Sequence, residues 1–328
     1  MKTQFYISHS FNPYENLALE QYLFETVQNQ TCILYLWQNE KTVVVGKNQN
    51  AWQECQVDYL TEQGGYVARR LSGGGAVYHD LGNLNFTFIM PTQQYDLQKQ
   101  LAVILKAVQQ LGIHAQASGR NDITVDGKKF SGNAFYHSGG KSYHHGTLLV
   151  DVDSEALSQY LKVSQDKLKS KGVSSVKSRV TNLINYVPDL TIDQLKQQLL
   201  EAFADVYEAQ PFELSVADFD QQRLNQLNQQ YASWQWRLGR AIPFTFQITT
   251  RFDWGGMDIQ LQVNEGKIVD GHVYSDAMDS QTIERMMPLL IGQLFSLTTM
   301  AKIMALLKDG QNDQMLDDIA QWIIQSQQ

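Results

Sequence analysis

The residues that most restrict this chain are Arg69-Arg70-Leu71-Ser72-Gly73-Gly74-Gly75-Ala76-Val77-Tyr78-His79-Asp80. Three consecutive glycines stand there between the predicted strands Tyr66 to Arg70 and Ala76 to His79. Such a loop lets the backbone approach a ligand closely and turn its N–H groups toward oxyanions, while two adjacent arginines supply charge for phosphate or carboxylate. A tight strand-to-strand turn explains the glycines equally well. The loop is not a dinucleotide fingerprint, because the third glycine of G-x-G-x-x-G falls on Tyr78 and the loop leads into a strand. Gly140-Lys141-Ser142 imitates the end of a phosphate-binding P-loop, but its earlier glycine falls on Phe135.

The chain has 328 residues, which at roughly 150 per domain argues for about two domains. Its 43% hydrophobic content excludes disorder as the main theme. With 26 Lys and Arg against 34 Asp and Glu, the net charge of −8 opposes general attraction to nucleic acid or anionic membranes, so any polyanion site must be local. Cys32 and Cys55 are too few for a disulfide framework and lack zinc-ligand spacing, which suits a reducing cytoplasm. No run approaches the ~20 apolar residues of a membrane span, so the expectation is a soluble, unsecreted protein.

Helical spacing predicts helices at Asn16 to Val27, Leu97 to Leu111, Ile192 to Tyr207 and Phe219 to Tyr231. Cys32 to Trp37 and Thr42 to Val45 read as strands joined in a hairpin by the polar Gln38 to Lys41, and further strands follow at Leu84 to Ile89, Ile123 to Val125, Lys129 to Tyr136 and Gly146 to Val150. After a boundary near Pro243, strands at Thr245 to Arg251, Met257 to Val263 and Ile268 to Tyr274 are expected to turn at Gly255-Gly256 and Glu265-Gly266. Helices at Gln281 to Leu294 and Leu297 to Leu307 close the chain. The domains so drawn are residues 1–243 and 244–328.

Three further segments bear on chemistry. Asp126-Gly127 reads as a hairpin turn that would set Asp122 beside Lys129 on neighbouring strands, either to orient the lysine for phosphate or as an ordinary surface ion pair. His144 and His145 are sequence neighbours, so a strand points them to opposite faces and a shared metal site is not expected; structural roles are the default. The segment Lys171 to Leu183, with Gly172, Lys177 and Arg179, suits either a loop closing over phosphate or a solvated linker.

Together these segments resemble the lipoate-protein ligases, in the long bacterial form with a C-terminal accessory domain. The resemblance runs from Asn12-Pro13, Asn16 and Glu20 through Trp37, Arg69 to Phe88, Gly119 to Asp122, Lys129 to Ala134, His144 to Leu149 and Gly172 to Leu183. It continues to Arg251-Phe252, Trp254-Gly255-Gly256 and Asp276. The Arg-x-Ser-Gly-Gly-Gly-Ala-Val block followed by His79-Asp80 and Gly82-Asn83 is its most specific part. It implies an α/β (α+β) fold: a biotin/lipoate ligase-like catalytic domain with mixed sheets, plus a small α+β accessory domain. It also implies that ATP activates lipoate to lipoyl-AMP with release of pyrophosphate, and that the lipoyl group then passes to a carrier lysine. The implied carriers are the glycine-cleavage H protein and the lipoyl domains of the E2 component of 2-oxoacid dehydrogenases.

By match to the family's Lys-x-Ser-Gly-x-Ala pattern, Lys129 is the catalytic cation between carboxylate and α-phosphate. Arg70 would hold phosphate, Ser72, Gly73, Gly74 and Gly75 would contact the acyl-phosphate, and the backbone of Ala76, Val77 and Tyr78 would receive adenine. Asn83 would bond phosphate or ribose, and His79 would be an active-site hydrogen-bonder. Asp122 would bind Mg²⁺ or orient Lys129, and Lys177 and Arg179 would fall in an adenylate-binding loop. The first helix and the Trp37 strand would line an apolar slot for the lipoyl tail. No tightly bound organic cofactor, nucleic acid or membrane is implied, and nothing in the sequence demands more than a monomer.

The rivals are an ATP-independent octanoyl or lipoyl transferase working through an acyl-thioester, and a non-catalytic acyl-carrier-binding protein. The thioester route needs a nucleophilic cysteine beyond the His144 to Leu149 segment, where this chain has none. Retention of Lys129, Arg70 and the whole glycine loop speaks against the non-catalytic reading.

Overall fold

A computed structural model describes residues 1–118, 122–162, 180–238, 246–310 and 313–326. Its largest sheet has eight strands. From one edge these are β11 (Phe212–Glu213), β1 (Lys2–Ile7), β2 (Thr31–Trp37), β6 (Asn83–Pro91), β10 (Lys141–Leu149), β9 (Lys128–Ser138), β8 (Asp122–Val125) and β7 (Gln116–Ser118). β1 runs parallel to both β2 and β11, and the other pairings are antiparallel.

Both faces of this sheet are covered, which explains the near-continuous apolar runs of its central strands. In β2 every residue is buried. Cys32, Leu34 and Leu36 pack toward helices α4 (Leu97–Gln110) and α6 (Ile192–Tyr207), while Ile33, Tyr35 and Trp37 pack toward α1 (Pro13–Thr26) and α7 (Gln221–Ala232). α1 begins three residues before the apolar spacing suggests. The Asn12 side chain accepts from Tyr14 N at 2.9 Å, and Pro13 occupies the first helical turn, where a missing N–H costs nothing.

A second sheet has three strands, β4 (Tyr66–Arg69), β3 (Thr42–Val45) and β5 (Val77–His79), in that order. The hairpin expected between the strands at 32–37 and 42–45 is therefore absent. Both edges of β2 are taken by β1 and β6, so the intervening residues carry the chain from one sheet to the other. Asn39 is buried at that crossing, bonded to Asn16 and to His79. Short helices α2 (Ala51–Glu54), α3 (Val57–Glu62) and α5 (Ser154–Tyr160) flank this sheet, and α8 (Trp234–Leu238) follows α7. The Gly140-Lys141 imitation of a P-loop is a hairpin turn between β9 and β10, with Gly139 and Gly140 at φ of 56° and 73°.

The residues after 245 form a third sheet, β12 (Phe246–Phe252), β13 (Gly255–Asn264) and β14 (Lys267–Ser275), backed by α9 (Ser280–Leu290), α10 (Leu297–Ala305) and α11 (Asp313–Gln325). Met257, Ile259, Leu261, Met286, Met304 and Ile319 belong to its own core. The first turn falls at Asp253-Trp254, and Gly255-Gly256 belong to β13. A Cβ at Gly255 would lie 2.9 Å from Ala277 N, so close approach and not turning requires glycine there, while Gly256 N donates to the Asp276 carboxylate at 2.6 Å. α11 was not anticipated. The boundary at Pro243 lies outside the described residues. Among the described residues no helix is long and apolar enough to cross a membrane.

Candidate active site

The glycine loop is held from within by Arg70. Its Nε donates to Ser72 Oγ (3.0 Å), Nη1 to Val44 O (3.1 Å), and Nη2 to Gly73 O (2.7 Å) and Gly75 O (2.8 Å). Burial pushes its guanidinium down to about 10, which leaves it charged at neutral pH. Gly74 sits at φ 88°, a conformation that only glycine adopts freely, and its carbonyl lies so close to Gly46 that a Cβ there would approach it to 2.3 Å.

Arg69 does something else. It donates to the backbone carbonyls of Gly46, Lys47, Gln49, Trp236 and Arg237 at 2.7–3.0 Å, pinning the end of α8 to the loop after β3. Its guanidinium is occupied by backbone carbonyls and does not line the cavity, so of the two adjacent arginines only Arg70 is placed to meet phosphate or carboxylate there.

A cavity of about 170 Å³ opens beside this loop. Arg70, Gly74, Gly75 and Lys129 are among the residues that line it. Leu17 of α1, Trp37 of β2 and Val44 of β3 add apolar lining, and Ala76, Val77, His79, Asn85, Asn133 and His145 also line it. The β8–β9 hairpin turns at Asp126 and Gly127, whose φ angles are 50° and 73°, and a register shift at Ile123/Thr124 places Thr124 opposite Lys129. The Lys129 ammonium nevertheless reaches the Asp122 carboxylate, at 2.7 Å.

Of the residues expected at the site, Arg70, Gly74, Gly75, Ala76, Val77, His79 and Lys129 line the cavity. Asp122 stands behind Lys129. Asn83 stands behind the lining residue Asn85, donating to it at 3.0 Å. Gly73 faces the C-terminal unit, where a Cβ would meet Ala277 O at 2.2 Å, and the Tyr78 ring turns away to pack on Tyr160. Lys177 and Arg179 lie outside the described residues, though the chain resumes at Val180, which bridges to Lys129, and Thr181 N donates to Lys129 O at 2.8 Å.

Sequence reading missed a buried polar chain under the cavity. Trp37 Nε1 donates to Thr87 Oγ1 (3.1 Å), and Thr87 donates to Glu20 Oε1 (2.7 Å). Glu20 also meets His145 Nδ1 (2.8 Å), whose Nε2 meets Ser72 Oγ (2.8 Å). With Nδ1–H donating to the carboxylate, Nε2 accepts from the Ser72 hydroxyl, and every member is paired. The available signal was Glu20 itself, a carboxylate inside the apolar face of α1. His144 and His145 do point to opposite faces. His144 bonds Gln100 (2.9 Å) and Asn133 (2.8 Å), and burial lowers its pKa to about 3.

The C-terminal unit reaches the site. Ala277 O accepts from Gly74 N at 3.0 Å, Asn48 O accepts from Ser275 N at 2.8 Å, and Met278 lines the cavity. Nothing in the sequence marks Met278 for this place.

A cavity lined by two cationic side chains, Arg70 and Lys129, together with Leu17, Trp37 and Val44 can seat an anionic group joined to an apolar body. A model of the lipoyl protein ligase A/B catalytic domain matches residues 12–204, and one of the bacterial lipoate protein ligase C-terminus matches residues 241–323. The chain belongs to the lipoate-protein ligase family. It is 42% identical over 292 residues to a lipoate-protein ligase A from Psychrobacter cryohalolentis, covering 87% of this chain and 86% of that one. A lipoate-protein ligase A from Blochmanniella floridana is 36% identical over 326 residues, covering 97% and 96%. Among solved structures, P. falciparum LipL1 in complex with lipoate superposes with a TM-score of 0.86 at 28% identity, covering 98% of this chain and 99% of that one. A lipoate-protein ligase A bound with ATP gives 0.65 at 25% identity, covering 73% and 99%. The biotin/lipoate ligase fold expected from the sequence is the fold found.

Proposed function

We propose that the protein activates lipoate with ATP, forming lipoyl-AMP and pyrophosphate, and then transfers the lipoyl group to a lysine of a lipoyl carrier such as the glycine-cleavage H protein or an E2 lipoyl domain. The observation that carries this reading is that Lys129 lines one cavity together with Arg70, the glycine loop and the apolar Leu17, Trp37 and Val44. Activation brings two anions together, a carboxylate and an α-phosphate, and their repulsion must be cancelled where they meet. A fixed ammonium there, beside the glycine loop, stabilises the charge that builds in the transition state, an effect worth roughly 3–4 kcal/mol in comparable sites. The tail then lies along Leu17, Trp37 and Val44.

A relative's structure holds ATP and another's holds lipoate, which supports these two substrates. Among the described residues no group of three or more His, Cys, Asp or Glu is placed to hold a metal. Mg²⁺ binds readily through one carboxylate when substrate phosphates and water complete its shell, so Asp122 fits that ion only in company with the nucleotide. There the ion would offset phosphate charge. Asp122 also orients Lys129, at 2.7 Å, and Lys177 and Arg179 would cover the adenylate and keep water from it.

The thioester alternative needs a reactive thiol. Both cysteines are fully buried, burial pushes each up to about 12, and neither lines the cavity. We further propose that the chain divides functionally at about residue 243 and acts in the cytoplasm as a monomer.

The test is to incubate the protein with lipoate, ATP, Mg²⁺ and a lipoyl domain while following pyrophosphate and carrier mass. Lys129→Ala should lower pyrophosphate release by at least about a hundredfold with the circular dichroism unchanged. Wild-type release from that variant refutes the mechanism, and transfer without ATP would favour the thioester route.

A further inference from the structure

We infer that Glu20 and His145 are positioning residues for acid activation: their hydrogen bonds fix the direction in which Ser72 bonds, and through Ser72 they hold Arg70 and the glycine loop in place against Lys129. The inference rests on the proposed reading that ATP activates a carboxylate in this cavity.

The direction of the buried chain is settled at both ends by groups that can only donate. At one end Trp37 Nε1–H donates to Thr87 Oγ1 at 3.1 Å, and the Thr87 hydroxyl donates in turn to Glu20 Oε1 at 2.7 Å. At the other end Arg70 Nε–H donates to Ser72 Oγ at 3.0 Å, which leaves the Ser72 hydroxyl proton for His145 Nε2 at 2.8 Å. His145 Nε2 is then the acceptor, and its Nδ1–H donates to Glu20 Oε1 at 2.8 Å. Both halves of the chain end on the same carboxylate oxygen. With the imidazole proton on Nε2 instead, two donors would face Ser72 Oγ, the Ser72 proton would lose its partner, and Nδ1 would meet Glu20 lone pair to lone pair. Glu20, His145, Ser72 and Arg70 are all buried, so water does not make up that loss.

What the chain holds follows from where its members stand. Glu20 belongs to α1, and Thr87 of β6 is the register partner of His145 on β10. Ser72 and Arg70 lie in the loop that leaves β4, in the second sheet, whereas Lys129 is on β9, the other neighbour of β10. The Ser72–His145 bond therefore ties the sheet that carries the glycine loop to the sheet that carries Lys129. Two acceptors of Arg70, Gly73 O and Gly75 O, belong to the glycine loop and move with it. Of the others, Val44 O belongs to β3, and Ser72 Oγ is the one tied across to β10. The Tyr143 ring packs on the imidazole, with centroids 4.9 Å apart, and confines its plane. Glu20 does not line the cavity, so it acts through these neighbours. Cations that offset charge between a carboxylate and a phosphate work only when accurately placed, so loosening the tie lowers the rate of activation more than the affinity for the acid.

The experiment pairs nitrogen NMR of the histidines with kinetics, both on the full chain. In the wild-type protein His145 should carry its proton on Nδ1, and in Glu20→Ala the proton should redistribute toward Nε2. Glu20→Ala should lower kcat for lipoate-dependent pyrophosphate release by about tenfold, while the lipoate Kd measured by calorimetry without ATP changes by less than about threefold. Glu20→Gln keeps an acceptor oxygen for His145 and should recover kcat to within about threefold of wild type. A proton on Nε2 of His145 in the wild-type protein overturns the inference without any variant, so a Glu20→Ala chain that fails to fold does not shelter it. Wild-type kcat in Glu20→Ala, or a loss wholly accounted for by weaker lipoate binding, overturns it as well. No pyrophosphate from wild-type enzyme with lipoate and ATP overturns the proposed function itself.

Discussion

Side chains that look alike in the sequence part company in the structure according to what they face. Arg69 and Arg70 are adjacent, yet one fastens α8 to the loop after β3 and the other holds the glycine loop and lines the cavity. The histidines divide similarly. Those at positions 79 and 144 are buried neutral, with pKa values lowered by desolvation from 6.5 to about 3. Between those values the unfolded chain binds more protons than the native one, so stability rises with pH and is lost as pH falls below about 6.5, by up to ~1.4 kcal/mol per pH unit for each ring. The urea midpoint should therefore drop clearly between pH 7.5 and 5.0, and His144→Gln should flatten that dependence. A midpoint constant over this range would contradict the buried neutral assignment.

At the scale of elements, local signals placed helices well and misjudged connections. The helix at 192–207 matches its apolar spacing, and Thr191 and Gln194 close a reciprocal capping box at its start, with Thr191 Oγ1 accepting from Gln194 N at 3.2 Å. Thr191→Ala should cost about 1 kcal/mol in urea unfolding, with the activity retained because the cap is remote from the cavity. A loss below a few tenths would mean that packing of Leu195, Leu199 and Phe203 alone holds this end. The failed hairpin at 38–41 has the opposite origin. Four polar residues between two apolar runs satisfy any hairpin rule, and only competition from β1 and β6 for the edges of β2 sends the chain elsewhere. The turn misplaced onto Gly255-Gly256 is similar, since a glycine required for close approach, as Gly255 is, looks like a turn glycine in one dimension.

In the whole molecule, the C-terminal unit sits on the glycine loop, with Ala277 O on Gly74 N, Asn48 Nδ2 on Ser280 O at 2.9 Å, and Met278 in the cavity wall. On the proposed function, one site encloses a small adenylate and also receives a carrier protein, and we propose that this unit shifts between the two half-reactions. A covalent cross-link between the loop at 46–50 and the segment at 275–281 should leave pyrophosphate release intact and reduce carrier lipoylation by at least about tenfold. Unimpaired lipoylation would show that the carrier reaches the cavity past a fixed C-terminal unit. The sequence by itself determined the family, the glycine loop and the Asp122 and Lys129 pair, because their spacing in the chain is short and their residue types are demanded by the chemistry. Only the tertiary structure decided the work of Arg69, the chain from Trp37 through Glu20 to Ser72 and the entry of Met278 into the cavity. Each of these depends on groups brought together from distant strands and helices, where burial forces every polar atom to find a partner.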